Sequence, residues 1–142
     1  MLVVVVAVAF ATAVVSAYGQ STTRVRSQIP FEFIVGSKTM PAGEYFLKSA
    51  SSSGAALMIS TADGKVSAIR LTNTIGPKLQ VSEAKLVFHR YGEKYFLAEV
   101  WTGADNTGRV LLPSKQEKSI KREYSGLAQN TYEVVEVVAL AL

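Results

Sequence analysis

The chain has 142 residues, a formal net charge of +4 and no cysteine. This length predicts a single domain with one apolar core. The lack of cysteine excludes disulfides, thiol catalysis and cysteine-based metal sites, so stability must come from the core or from assembly. The positive charge is mild: it suits contact with anionic surfaces or polysaccharides and does not predict binding to nucleic acid.

The N-terminal residues 1–17 read MLVVVVAVAFATAVVSA, an uncharged apolar run that ends in small residues. This pattern is typical of a secretory signal peptide, with cleavage after Ala17 or, as second choice, after Gly19. A membrane anchor is the alternative, but a spanning helix needs about 20 apolar residues and this run is shorter. We therefore predict export to the periplasm, the cell surface or the extracellular space. The mature part, 18–142, is one β-rich domain with extended terminal segments and no membrane span.

Alternating polar and apolar residues predict β-strands from the start of the mature domain. The run RVRSQIPFEFIVG (24–36) reads as one strand, in which Pro30 indicates an edge position or a bulge. The turn residues Pro41 and Gly43 separate this run from a second strand, EYFLKSA (44–50).

Two longer segments predict β-hairpins. In ALMISTADGKVSAIRLTN (56–73), strand-like runs flank Asp63-Gly64, a pair typical of a two-residue type I′ turn. In AKLVFHRYGEKYFLAEVWT (84–102), the turn falls at Gly92-Glu93 between runs rich in valine and aromatic residues. The following segment, GADNTG (103–108), reads as a plain loop, because one aspartate is too few for a calcium site.

One helix is predicted near the C-terminus. Ser114 and Glu117 form the S-x-x-E pattern of a capping box, which predicts a short amphipathic helix from Lys115 to Ser125. Three apolar residues follow with helical spacing: Ile120, Tyr124 and Leu127. About seven strands and this helix predict a mainly β fold, either an antiparallel sandwich or a small barrel.

Three segments together resemble a group of small, uncharacterised secreted proteins found mainly in Acidobacteria. The segments are IPFEFIVGSKTMPAGEY (29–45), KLVFHRYGEKYFLAEVWTG (85–103) and LPSKQEKSIKREY (112–124). The resemblance covers nearly all of the mature chain. It implies export and a β-rich fold, and it implies no reaction and no binding residues.

The residues do not define a catalytic, metal or cofactor site. His89 is the only histidine, which excludes a multi-histidine metal site. As a general base it would need a nucleophile and an orienting acid, but Asp63 and Asp105 both lie in turn sequences. His89 therefore reads as a half-buried strand residue. A glycosidase-like carboxylate pair drawn from Glu32, Glu44 and Glu99 has no other support in the sequence, so a small hydrolase is disfavoured.

Three aromatic residues are candidates for ligand contact. Trp101 stands near a strand end and is the first candidate for binding a polysaccharide, with Tyr91 and Tyr95 as further contacts. The competing interpretation is packing, because aromatic residues on strands usually lie in the core or in cross-strand pairs. The helix carries interleaved basic and acidic residues, which is typical of a solvated face rather than of a nucleic-acid or membrane surface.

The chain ends in NTYEVVEVVALAL, and the location of this apolar segment is open. It is too short to span a membrane as a helix and contains Glu133 and Glu136. It is either the last strand of its own sheet or a strand that completes the sheet of a neighbouring copy, which would build a homo-oligomer or a filament, tube or surface layer. The side chains assigned to such strand addition are Val134, Val135, Val137, Val138, Leu140 and Leu142.

We therefore predict an exported, non-enzymatic structural or binding domain without cofactor, one that self-assembles through its terminal segments. The alternative is a periplasmic or surface module that binds a polysaccharide or an apolar ligand.

Overall fold

The structure is a computed structural model. It describes residues 24–51, 55–76, 83–103, 108–125 and 132–142. The predicted signal peptide, the loop residue Asp105 and the third residue of the helical stripe, Leu127, lie outside the described residues.

The described part of the chain is mainly β, as predicted. It contains eleven strands and one helix: β1 (Arg24–Ile29), β2 (Phe33–Val35), β3 (Lys38–Met40), β4 (Gly43–Ser49), β5 (Ala56–Ser60), β6 (Ser67–Ile75), β7 (Lys85–Tyr91), β8 (Lys94–Trp101), β9 (Gly108–Leu111), α1 (Lys115–Ser125), β10 (Glu133–Val138) and β11 (Leu140–Ala141). The helix covers the predicted residues. The predicted number of about seven strands is too low, because β2, β3, β9 and β11 are only two to four residues long, too short to show a clear alternation of polar and apolar residues.

All eleven strands belong to one open, mixed sheet, so the predicted antiparallel sandwich or small barrel is not confirmed. The path of the sheet runs β10-β7-β8-β9-β6-β5-β4-β1-β11, while β2 pairs with β3 and, in parallel, with β8. The first part of β6 pairs with β5 and its second part with β9. We call β11, β1, β4, β5 and the first part of β6 the A half, and the remaining strands the B half.

Both halves contribute to one apolar core. Its side chains come from β1 to β5 as well as from β7, β8 and β9. The largest of those that are completely buried are Ile29, Phe33, Met40, Tyr45, Leu47, Ile59, Leu86 and Phe88. A β-bulge shifts the pairing of β7 with β8 between Val87 and Phe88. Because an extra residue reverses the alternation of side chains, both Leu97 and Val100 reach this core.

The predicted first strand is wrong at Pro30. The run 24–36 forms two strands, because Pro30 follows the last residue of β1 and the chain then turns into β2. Proline has no N–H to donate to a ladder and is common where a strand ends.

The two predicted hairpins are present, but only one has the predicted turn. Gly92-Glu93 joins β7 to β8 as a two-residue turn, with Gly92 at a φ of 63°. In the β5–β6 hairpin the link is longer, 61–66, rather than a two-residue turn at Asp63-Gly64. The Asp63 carboxylate accepts hydrogen bonds from the Thr61 hydroxyl at 2.6 Å and from the Lys65 N–H at 3.0 Å. These local bonds favour the wider loop.

Candidate functional site: the C-terminal segment and the helix-covered face

The C-terminal segment, residues 132–142, pairs with its own sheet at both ends of the strand path. The strand β10 pairs antiparallel with β7 over six residue pairs, from Glu133 beside Arg90 to Val138 beside Lys85. The strand β11 pairs antiparallel with β1. Within a single chain the segment therefore completes its own sheet, which is the first of the two interpretations of the sequence.

Ala139 marks the bend at which the segment leaves the B half and joins the A half. Its side chain is buried, and its N–H donates to the Ala84 carbonyl at 3.1 Å. The Ser27 hydroxyl donates to the carbonyl of Val138 at 2.9 Å, and the Leu142 N–H donates to the Arg24 carbonyl at 2.9 Å. The segment is thus held by backbone contacts on both sides of the bend. A concave cavity of about 560 Å³ lies against this bend.

The side chains of the segment alternate between the core and the solvent. Val135 and Val137 pack against the core. The other four apolar residues assigned to strand addition are largely exposed: Val134 (59%), Val138 (76%), Leu140 (54%) and Leu142 (62%). They are four of the seven exposed large apolar residues of the described chain, so apolar surface is concentrated in its last nine residues. Concentrated exposed apolar surface is typical of an interaction site.

The second edge of β10 has no partner strand among the described residues. The strand path begins at β10, whose only ladder is with β7. Two ion pairs flank that ladder, Lys85 with Glu136 at 3.0 Å and Arg90 with Glu133 at 3.6 Å. Exposed ion pairs contribute little to stability, but they favour this register over a slipped one. An unpaired edge is a ready template for another strand.

Four side chains meet under the helix on the opposite face of the B half: Glu117 of α1, His89 and Tyr91 of β7, and Tyr132 just before β10. Glu117 of α1 accepts a hydrogen bond from the Tyr91 hydroxyl at 3.2 Å, and its carboxylate oxygen lies 3.6 Å from Nδ1 of His89. The His89 ring stacks on Tyr132 with ring centroids 4.0 Å apart. Burial of the phenol and the nearby Glu117 carboxylate raise the pKa of Tyr91.

Glu117 is the residue of this cluster that the sequence did not reveal. The capping box assigned its carboxylate to the helix N-terminus, and only the Ser114 half of that box forms: the Glu117 N–H donates to the Ser114 hydroxyl at 3.1 Å. The carboxylate turns to the sheet instead. The signal available in the sequence was the stripe of Ile120 and Tyr124, which faces Tyr91 and predicts which helix face meets the sheet.

This arrangement holds the helix on the sheet. Its carboxylate, imidazole and phenol form a hydrogen-bonded and stacked cluster. In the part of the chain that the structure describes, no group of three or more His, Cys, Asp or Glu side chains could hold a metal ion.

The aromatic residues proposed for ligand contact do not form a common surface. Trp101 is only 6% exposed, and its indole N–H donates to Glu99 at 2.9 Å. The indole lies against Gly108 of β9, which covers it. Tyr91 is 2% exposed. Tyr95, at the other end of β8, is half-buried and stacks on Phe31 with ring centroids 3.9 Å apart.

Comparison of the chain with protein families, curated proteins and solved structures gave no match. The resemblance to the acidobacterial secreted proteins therefore stays a prediction. No helix of the described residues is long and apolar enough to cross a membrane.

Proposed function

We propose that the protein is an exported, non-enzymatic structural domain that associates with further copies of itself through the C-terminal segment. The observation that carries this proposal is the position of the segment: it pairs with β7 on one side and β1 on the other, while four of its apolar side chains point into solvent.

Exchange of the segment between copies preserves every contact that it makes within one chain. A segment from one copy would pair with β7 and β1 of the next in the same register, and Val135 and Val137 would pack against that copy's core. Domain swapping of this kind costs little because the exchanged interface is identical to the original one. Backbone hydrogen bonds would supply the affinity and the inward valines the specificity.

The geometry of exchange decides the shape of the assembly. If two copies exchange segments reciprocally, the result is a closed dimer. If each copy donates its segment to the next, the contact does not close and a filament or tube grows. The exposed stripe of Val134 and Val138 would then repeat along the assembly, where burial against neighbouring copies adds stability.

A pair of introduced cysteines tests the exchange directly, because the natural chain has none. Lys85 and Val138 are Cα partners on β7 and β10. Directly opposed residues of an antiparallel pair lie within disulfide range, so Lys85→Cys with Val138→Cys forms a bridge where the two strands pair. Oxidation of a dilute monomer links the strands within one chain and should block assembly. Oxidation after concentration should give covalent multimers on a non-reducing gel.

A matched control carries its cysteines in a hairpin that has no reason to exchange. Ser60 and Ser67 are partners across the β5–β6 hairpin, so Ser60→Cys with Ser67→Cys should link only within one chain under both conditions. Exchange is refuted if the Lys85–Val138 variant also links only within one chain while multimers are present. The whole proposal fails if light scattering finds a monomer at high concentration.

The alternative function, binding of a polysaccharide or an apolar ligand, has no support from the buried Trp101 and Tyr91. A groove on a different surface, on the A half, favours ligand binding independently of these aromatic residues.

A further inference from the structure

The outward face of the A half carries a row of basic and apolar side chains. Register places Arg24 opposite Lys48, Lys48 opposite Met58, and Met58 opposite Ile69 on four neighbouring strands. Residues two positions apart on a strand share a face, so Phe46 lies beside Lys48 on β4. Arg26, the partner of Phe46, adds a third cation to the same face.

Arg24 and Lys48 form a like-charge pair. Like charges directly opposite each other on paired strands are destabilising. Neither Arg24, Arg26 nor Lys48 has an ion-pair partner among the described residues. The acidic residues nearest in register are Glu44, which pairs with Gln28 rather than with a cation, and Asp63, whose carboxylate is bound to Thr61 and Lys65. The face therefore carries an excess of positive charge that an anion would neutralise.

A groove lies at this pair of cations. It has a volume of about 290 Å³, and its walls include Arg24, Phe46, Lys48 and Met58. Thr61 and Ala62, from the loop of the β5–β6 hairpin, line one end. The side chains of Phe46, Lys48 and Met58 are half-buried, so the groove offers a sheltered apolar floor next to two cationic head groups. Sites for small ligands combine these features: a largely apolar lining and a few placed polar groups.

We propose that this groove binds a single-chain amphiphilic anion, such as an alkyl carboxylate. The carboxylate would sit between the Arg24 guanidinium and the Lys48 ammonium, and the alkyl chain would lie on Phe46 and Met58 towards Thr61. Binding stabilises the anion through charge-assisted hydrogen bonds and removes the repulsion between the two cations. The apolar chain buries side-chain surface that otherwise stays partly in water.

The same features argue for one bound molecule rather than a membrane surface or an acidic polysaccharide. The apolar floor at Phe46 and Met58 is recessed and bounded by the hairpin loop, whereas a bilayer would need apolar side chains that project. An acidic polysaccharide would use the cations but not the apolar floor. Each of these partners is an outcome that the experiment distinguishes.

The methionine methyl groups provide a local readout of binding. Met58 lies in the groove and Met40 is completely buried in the core, so ¹³C-methyl-methionine spectra report the site and the fold separately. The probes are dodecanoate, dodecyl maltoside and dodecyltrimethylammonium, each kept below its micelle concentration, with anionic vesicles and alginate as separate samples. We expect saturable shifts of the Met58 methyl with dodecanoate, much weaker ones with the neutral and cationic chains, and an unshifted Met40 methyl.

Charge removal at the groove tests the role of the cations. Arg24→Gln and Lys48→Gln should each weaken dodecanoate binding roughly ten-fold, the usual effect of losing one charge-assisted hydrogen bond. Lys94→Gln, which removes an exposed cation on β8 of the B half, is the matched control and should leave binding unchanged. Without ligand, Lys48→Gln should melt at a slightly higher temperature than the natural protein, because the like-charge pair is gone.

The proposal is overturned if dodecyl maltoside shifts Met58 as strongly as dodecanoate does, since the cations then play no part. It is also overturned if Arg24→Gln and Lys48→Gln bind as the natural protein does, or if only vesicles or alginate produce shifts. Failure of the assembly experiment leaves it standing, because the groove residues lie outside the C-terminal segment.

Discussion

The Glu117 carboxylate accepts a hydrogen bond from the Tyr91 hydroxyl at 3.2 Å, and this bond joins the first turn of α1 to the last residue of β7. The side chain of Glu117 is largely buried, and His89 lies 3.6 Å from the same oxygen. Tyr91 and Glu117 are 26 positions apart in the chain, and their contact decides how the helix sits on the sheet.

Glu117→Gln should lower the free energy of unfolding by about 1 kcal/mol. The glutamine keeps the shape of the side chain but replaces a charge-assisted hydrogen bond with a neutral one. Glu123→Gln on the same helix is exposed and should change stability by less than about 0.5 kcal/mol. Urea unfolding curves measure both. Equal changes in unfolding free energy for the two variants would contradict a stabilising contact between Glu117 and Tyr91.

The raised pKa of Tyr91 predicts that the protein loses stability at alkaline pH. Burial of the phenol is the main cause, and the Glu117 carboxylate adds to it. The unfolded chain releases the phenolic proton near pH 10, while the folded chain still holds it. Unfolding therefore releases a proton above that pH, so this contribution to stability is fully present below pH 10 and is lost as the pH rises further.

Tyr91→Phe removes the phenolic proton that unfolding releases at alkaline pH. The variant loses the hydrogen bond to Glu117 at neutral pH, yet its unfolding free energy should fall less steeply above pH 10 than that of the natural protein. Burial also raises the pKa of Tyr45, so the alkaline loss is reduced rather than abolished. Circular dichroism against pH, with tyrosinate absorbance in parallel, measures the two slopes. Identical slopes would show that Tyr91 does not titrate with unfolding.

Gly108 is the position where any side chain meets the indole of Trp101. A Cβ placed there would lie 2.7 Å from two ring carbons, closer than real contacts allow. Gly108→Ala should destabilise the fold by about 1–3 kcal/mol, the usual cost of overpacking, and should shift the fluorescence of the single tryptophan. Gly76→Ala meets no atom of the described residues within 4 Å and is the matched control. If Gly108→Ala changes neither the stability nor the tryptophan fluorescence, Trp101 is free to move.

Local patterns predicted the helix and the hairpins well, since each depends on residues close in the chain. Ser114 caps α1 as its sequence context indicates, and Gly92 supplies the positive φ of a two-residue turn. Local sequence patterns could not predict the burial of Trp101, because its burial requires β9 to lie beside β8 with a glycine at the contact. The pairing of β11 with β1 joins the two ends of the described chain, and no local pattern specifies it.

The same limit applies to the candidate groove. Arg24, Lys48 and Met58 are far apart in sequence, and each has an ordinary place in an alternating strand. Only the registers of β1 with β4 and of β4 with β5 bring them together.

The alternation of side chains along β10 predicts unequal effects of the same substitution at two neighbouring valines. Val135 packs against the core, whereas Val134 is 59% exposed. Valine and threonine have nearly the same shape, so Val135→Thr isolates the cost of placing a hydroxyl among apolar neighbours, about 1 kcal/mol for a partly buried group. Val134→Thr should be nearly neutral. Both variants retain β-branching, so strand propensity is unchanged.

Chemical unfolding of the two variants reports the register of the C-terminal segment. A slip of one residue would move Val134 to the core and Val135 to the solvent, and the order of the two effects would reverse. Because exchange between copies keeps the register, the same order is expected for the monomer and for an exchanged assembly. If both substitutions are neutral, β10 is not packed on β7 in solution, and the ladder from Glu133 to Val138 does not form.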